Sequence, residues 1–343
     1  MTTADRLTVL VTGVGDTVGQ ALVKAARQST VPVRVLGTDL NEICVGLRWV
    51  DKGFVLPHCS AADDYLAQLA AVCAGEGVQL ILPGTEKELE LLAAHAATML
   101  SQSGAVVVAS TPDVLRVSMN KWETCRFLAA EGLNFPRFAR LDAADEVRRL
   151  VDEVGFPLIV KPFHGQSSRG LLKVRSWADI NSARGVGIPA VVQEFLEPDH
   201  EEYSVAVYTA RDGRPVGAFS YLRQQLMAGS TYRARIGHNP IVESEALAVA
   251  GALHPSGPCN IQLRLTSAGP ITFEINARFS GGVSIRAHFG YNEVEMAVRD
   301  QVLNEPIPPP VARTGTALRY WDEMYFDDEP TLAAERGFAV GAS

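Results

Sequence analysis

Over residues 1–110 short apolar strands alternate with helical patterns, and this alternation restricts the fold more than any other feature of the chain. Leu7 to Val11 reads as a strand, Val18 to Gln28 as a helix and Val33 to Gly37 as a second strand. Further strands at Leu80 to Leu82 and Ala105 to Ala109 are separated by helical stretches around Asp64 to Cys73 and Glu86 to Met99. Strand, helix and strand in succession imply a parallel sheet, so one doubly wound α/β domain is expected here.

The pattern changes near Thr111. Thr111-Pro112 is a helix N-cap followed by proline at the first helical position, and Gly132 supplies the stop. A second helix is expected from Asp142 to Val154, closed by Gly155, and then a strand from Phe156 to Val160. Strands dominate afterwards, at Leu171 to Val174, Ala190 to Gln193, Tyr203 to Thr209, Val216 to Tyr221, Ile261 to Leu265 and Ile271 to Ile275. Arg211 to Arg214 and Thr266 to Pro270 sit where hairpins should reverse, so this half is expected to be α+β with antiparallel sheet. Pro306 to Pro310 reads as a spacer before a last strand near Ala317 to Tyr320. The expected units are residues 1–110, 111–188 and 189–343.

A chain of 343 residues, 47% hydrophobic, has material for two or three such cores. Its 39 acidic against 31 basic side chains give a net charge of −8, with no stripe of lysine and arginine, which disfavours a nucleic-acid partner. Cys44, Cys59, Cys73, Cys125 and Cys259 form no Cys-x-x-Cys pair, as expected of reduced thiols in a cytoplasmic protein without a zinc site. Met1 to Val11 lacks a long apolar segment after a basic start, and no run of about 18 apolar residues occurs, so neither targeting nor a membrane is expected.

Gly13-Val-Gly15-Asp-Thr-Val-Gly19 lies between a strand and a helix, and Asp39 closes the next strand. That arrangement approaches the dinucleotide fingerprint and keeps an NAD(P)-dependent dehydrogenase among the readings. The motif departs from the fingerprint in its longer gap before Gly19, and any tight turn between strand and helix uses glycine in the same way.

The strongest chemical signal is the hairpin that runs from Asn260 to Asn276 around Ala268. In that register Gln262 faces Glu274. Alternation puts Gln262, Arg264, Thr272, Glu274 and Asn276 on one face, and Ile261, Leu263, Leu265, Ile271, Phe273 and Ile275 on the other. A carboxylate between two amide oxygens is hard-oxygen ligation, suited to Mg²⁺ that keeps waters and bridges nucleotide phosphates. Arg278 continues the face and is placed to meet a transferring phosphoryl group.

Lys161 ends the apolar strand Phe156-Pro-Leu-Ile-Val, where a desolvated ammonium needs an anion. The loop that follows, Gly165-Gln-Ser167-Ser168-Arg169-Gly170, offers amides, hydroxyls and a guanidinium as a cover over phosphates. Gln193-Glu194-Phe195-Leu196 is a strand running into a connector whose freed backbone groups suit an adenine edge, and a carboxylate at Glu201 or Glu202 suits ribose hydroxyls.

Taken in order, Lys121, Val160-Lys161-Pro162, the Ser-Ser-Arg-Gly loop, Gln193 to Leu196 and Glu274-Ile-Asn276-Ala-Arg278 resemble the ATP-grasp superfamily. The resemblance is greatest to the branch of carbamoyl phosphate synthetase large subunit and biotin carboxylase. It covers about residues 110 to 305, and it implies a Rossmann-like pre-ATP domain followed by an ATP-grasp fold of two α+β subdomains. It also implies that Lys121 and Lys161 contact ATP phosphates, that the glycine-rich loop closes over them, that Glu194 and Leu196 face adenine through backbone atoms, and that Glu202 takes the ribose. Gln262, Glu274 and Asn276 match its Mg-binding positions and Arg278 its acyl-phosphate arginine. Asn120 stands where the family often has an acid, and Ala277 replaces its usual proline.

The activity so implied is an ADP-forming carboxylate–amine ligase that works through an acyl phosphate, with ATP and Mg²⁺ as cofactors and a small carboxylic acid or amino acid and an amine as substrates. Glu86, Arg233, Arg235, Ser280, Gly281 and Arg286 are the candidate substrate residues, and Arg223 to His238 is a candidate basic lid. A non-catalytic Mg-ATP-binding protein and a homodimeric assembly both stay open.

Overall fold

The computed structural model describes residues 6–165, 170–227 and 229–326, and the backbone of 334–336. Three sheets organise it. The first is parallel, with β1 (Leu7–Val11), β2 (Val33–Asp39), β3 (Lys52–Val55), β4 (Leu80–Leu82) and β5 (Val106–Val107). The second is antiparallel and small: β6 (Phe138–Arg140), β7 (Leu158–Pro162), β8 (Leu172–Val174) and β9 (Ala190–Glu194), in the order β6-β9-β7-β8. The third holds β10 (Glu202–Thr209), β11 (Pro215–Met227), β12 (Ser230–Ile236), β13 (Gly257–Thr266), β14 (Gly269–Asn276) and β15 (Gly315–Leu318), in the order β14-β13-β10-β11-β12-β15.

A last strand, β16 (Ala334–Arg336), returns to pair in parallel with β3, so the first sheet runs β16-β3-β2-β1-β4-β5. The end of the expected 189–343 unit therefore lies with the first sheet. Its sequence, Ala-Glu-Arg, has no apolar alternation that would signal a strand.

Four apolar clusters hold these layers. One joins Val9, Leu22 and Val35 of the first sheet and its helix Thr17–Ala26 to Tyr208, Phe219 and Tyr221 of the third sheet, through Val283, Ile285 and Val294. A second packs the opposite face of the third sheet, including Val205, Ile261 and Ile275, on helix Pro240–Leu253. The far face of the first sheet has its own cluster around Leu36, Phe54 and Leu69. The small sheet also has a cluster to itself, with Val147, Leu158, Val160 and Ile180.

The expected helix from Thr111 to Gly132 is two helices, Pro112–Met119 and Lys121–Ala130. Asn120 breaks the run because it leaves helical backbone (φ −119°, ψ 113°) and its side chain accepts the amides of Trp122 and Glu123. Lys121 thus opens a helix rather than sitting inside one. The candidate lid is likewise an ordered hairpin, β11 and β12, whose turn passes through Gly229.

Candidate active site

The site is a cleft of about 590 Å³ where the three sheets meet, lined by Lys121, Lys161, Glu194, Glu202, Glu274 and Arg278 among others. Its floor is the hairpin β13–β14. Gln262 pairs with Glu274 and Ile261 with Ile275, as alternation predicts, but the register slips between Gln262 and Leu263. That bulge puts one extra residue on β14 and corrects three of the expected side-chain directions, Ile271 now standing across from Arg264 on the polar face. Thr272 turns into the core, fully buried with its hydroxyl unpartnered, while Phe273 joins the cleft lining.

The three oxygen-bearing side chains converge. Glu274 Oε1 accepts the Gln262 amide at 3.2 Å and the Asn276 amide at 3.0 Å. The amide oxygens face cations: Gln262 Oε1 accepts Arg223, and Asn276 Oδ1 accepts Arg278 Nη2 at 3.0 Å. Burial would raise the Glu274 carboxyl, but Lys121, the Asn276 amide, Lys161 and Arg223 outweigh it and hold it below the ordinary glutamate value. One ionised carboxylate beside two amides is a hard-oxygen set that suits a divalent ion once Arg223 and Arg278 release the amide oxygens.

Lys161 stands opposite, delivered by β7 between β8 and β9. It is 8% exposed, its Nζ lies 4.6 Å from the Phe273 ring centroid, and burial depresses its pKa while Glu274 opposes the fall. Among the described residues no carboxylate is in salt-bridge contact with it. Lys121 Nζ donates to the Gly165 carbonyl at 2.7 Å, and its backbone N–H to Phe163 at 2.9 Å, so it is tied to the loop after β7. Ser167, Ser168 and Arg169 lie outside the described residues.

At the β9 end, Glu194 and Leu196 line the cleft. Gln193 lines it too, but its amide donates to Cys125 Sγ at 2.9 Å, into the core. The Leu196 carbonyl accepts Arg264 at 2.9 Å. Glu202 is held from both sides, with Oε1 2.5 Å from Arg223 and Oε2 2.6 Å from Arg264. A carboxylate has lone pairs beyond these two, so further donors still fit.

Arg278 reaches across to the first sheet's domain, where Glu86 Oε1 accepts it at 2.7 Å. Glu86 and Ser280 therefore meet the same cleft, together with Gly281. Three candidate substrate residues do not reach it. Arg286 is 0% exposed and paired with Glu293 at 2.7 Å, so it supports Ser280 (3.0 Å from Nη2) from behind and has no free fork. Arg233 and Arg235 are exposed on β12 and do not line the cleft, because the strand turns them outward while Thr231 faces in.

Two lining residues escape any sequence motif. Tyr221 is buried beside Arg286 and Arg223; burial would raise its phenol, but Arg286, the Ser204 hydroxyl, Arg223 and Thr231 outweigh it and hold it below the ordinary tyrosine value. Arg319 enters from just beyond β15. Only strand pairing brings either of them to the hairpin.

The N-terminal glycine turn opens on a second cavity of about 550 Å³, which shares Asp16, Val18, Glu86 and Arg278 with the first. A nicotinamide dinucleotide would need the turn's amides for its phosphates and the Asp39 carboxylate for its ribose. Here they satisfy each other, with Gly15 N–H donating to Asp39 Oδ2 at 2.7 Å. The dehydrogenase reading finds no support in this geometry. Among the described residues no helix is long and apolar enough to cross a membrane.

Residues 188–324 match the family model described as ATP-grasp in the biosynthetic pathway with Ter operon, and residues 9–108 match the PylC-like N-terminal domain. A formate-dependent phosphoribosylglycinamide formyltransferase from Synechococcus sp. (strain CC9605) is 27% identical over 330 residues, covering 91% of this chain and 80% of that protein. Among solved structures, an ADP complex of N5-carboxyaminoimidazole ribonucleotide synthetase superposes with a TM-score of 0.70 at 15% identity, covering 90% of this chain and 79% of that one. The biotin carboxylase domain of Hydrogenobacter thermophilus 2-oxoglutarate carboxylase gives 0.66 at 14% identity, covering 88% and 70%. At such identities these two likenesses speak to the fold.

Proposed function

We propose, from the match of residues 188–324 to an ATP-grasp model and from the site's geometry, that the chain is an ADP-forming ligase that activates a small carboxylic acid as an acyl phosphate and passes the acyl group to an amine. The observation that carries this reading is Lys161: a buried ammonium, without a carboxylate partner among the described residues, facing a carboxylate and two amides that fit a metal. A lone desolvated cation destabilises a protein unless an anion arrives to meet it. Nucleotide phosphates are such an anion.

In this reading the base lies against Glu194 and Leu196 and the ribose hydroxyls donate to Glu202, whose two arginine partners hold it in place. Lys161 and Lys121 hold the phosphates. Gln262, Glu274 and Asn276 would hold Mg²⁺, which when bound neutralises charge on the phosphate oxygens. Arg278, steadied by Glu86, is aimed at the oxygens that gain charge as the phosphoryl group moves to the substrate carboxylate. A carboxylate is a poor electrophile; phosphorylated, it carries a good leaving group, and attack by an amine then yields an amide and phosphate. The relative named above is a formate-dependent formyltransferase acting on phosphoribosylglycinamide, which supports a small acid and an amine as the reacting pair.

The test is release of ADP and phosphate that depends on an added carboxylate, across a panel of amino acids and small acids, with hydroxylamine trapping the acyl group as a hydroxamate. Glu274→Gln should lower turnover about 10²- to 10³-fold while the circular dichroism spectrum is kept. Tight Mg-ATP binding without turnover on any acid would instead leave a nucleotide-binding protein.

A further inference from the structure

The nucleotide accounts for Lys161 but not for Arg319. Anchored by a hydrogen bond from its backbone N–H to the Tyr232 carbonyl at 2.9 Å, Arg319 lines the cleft and donates to the Gly281 carbonyl. Its neighbours are answered by carboxylates: Arg278 by Glu86, Arg223 by Glu202 and Arg286 by Glu293. Among the described residues no carboxylate pairs with Arg319. Burial depresses its pKa; the Tyr221 phenol opposes the fall and Arg286 adds repulsion. A guanidinium presents five N–H donors in a planar fork, and one carbonyl leaves most of that fork unused.

We propose that Arg319 anchors a second anion subsite, which takes a substrate carboxylate other than the one that is phosphorylated. This rests on the ligase reading, because it places the reacting carboxylate toward Lys161 and Arg278. The two arginines meet the cleft from different elements: Arg278 follows β14 and precedes the Ser280–Gly282 turn, and Arg319, from beyond β15, donates to that turn's Gly281 carbonyl. The substrate class is therefore a dicarboxylic acid, or an acceptor amine that is itself an amino acid. The guanidinium fork matches the two oxygens of a carboxylate in one plane.

Ligand-observed NMR on the full chain, with and without Mg-ADP, tests this with glutarate, glutamate, butyrate and inorganic phosphate as probes. Wild type should bind glutarate or glutamate more tightly than butyrate; the first points to a dicarboxylic acid, the second alone to an amino acid. Arg319→Met should weaken that binding about ten- to a hundredfold, to the level of butyrate, with Arg319→Lys between and Mg-ADP affinity the same in all three proteins. The proposal is overturned if glutarate and glutamate bind no more tightly than butyrate, if Arg319→Met leaves them unchanged, or if phosphate alone depends on Arg319. Loss of Mg-ADP binding in wild type, with Arg319-dependent glutarate binding intact, would instead remove the ligase reading and keep the subsite.

Discussion

Lys161→Met should make the nucleotide-free protein more stable, not less. The ammonium is buried against Phe273 without a carboxylate partner among the described residues, and methionine keeps the length of the stem while removing the charge. The substitution forfeits a cation–π contact worth about 0.5–2 kcal/mol and part of the field on Glu274, yet Lys121 and Arg223 still hold that carboxylate ionised. Against this stands the desolvation of a lone ion, effectively several kcal/mol. A net gain on the order of 1 kcal/mol follows, or roughly 2 °C in Tm. Mg-ATP should reverse the order. At a hundred times Kd the wild type gains about 2.7 kcal/mol by mass action, and the variant, lacking the phosphate partner, gains little. Differential scanning calorimetry with and without Mg-ATP reads both halves. A variant that melts below wild type without nucleotide would refute the reasoning, because the ammonium would then have an internal partner.

Two further outcomes follow from the same charges. Burial lowers the Lys161 pKa below 10.5, so in the interval just under that value the free protein has partly lost a proton that bound phosphates restore. Nucleotide binding there should take up protons, measurable by calorimetry in buffers of different ionisation enthalpy, and the free protein should gain stability as pH rises through the interval, because the unfolded lysine still holds its proton; binding without proton uptake counts against the assignment. Arg286→Met should cost about 3–5 kcal/mol by leaving Glu293 charged and alone at 0% exposure, whereas Arg286→Met with Glu293→Leu should recover most of it in urea unfolding. Equal loss in the single and double variants would show that the pair matters for its shape and not for its charge.

The sequence made the hairpin legible because Gln262, Glu274 and Asn276 alternate with aliphatic residues that cannot face water. Lys161 was legible for the opposite reason, as a charge where the strand pattern demands an apolar residue. The bulge was not, since Thr272 and Phe273 each suit a half-buried strand and a slip of one residue leaves no trace in composition. Arg286 misled because a lone arginine on a short helix looks solvated until Glu293, in another helix, is seen to meet it. Arg233 and Arg235 misled in the same way: their loop-like glycine spacing hid a strand whose outward face they share. Arg319 reaches the cleft only because β15 pairs with β12, a long-range register that no local pattern encodes.

The continuous cluster that runs from Val9 and Leu22 through Val283 to Tyr221 welds two walls of the cleft into one block, since sliding them apart would wet its side chains. The small sheet shares none of that cluster; Leu158, Val160 and Ile180 pack among themselves. Swinging it would leave that cluster dry and work against the rings of Phe138, Phe163, Trp122 and Phe135, so the enzyme resembles a single jaw working against an anvil. Lys161 rides on the jaw and Glu274 on the anvil, so the distance between those two charges is a ruler for how far the mouth is shut.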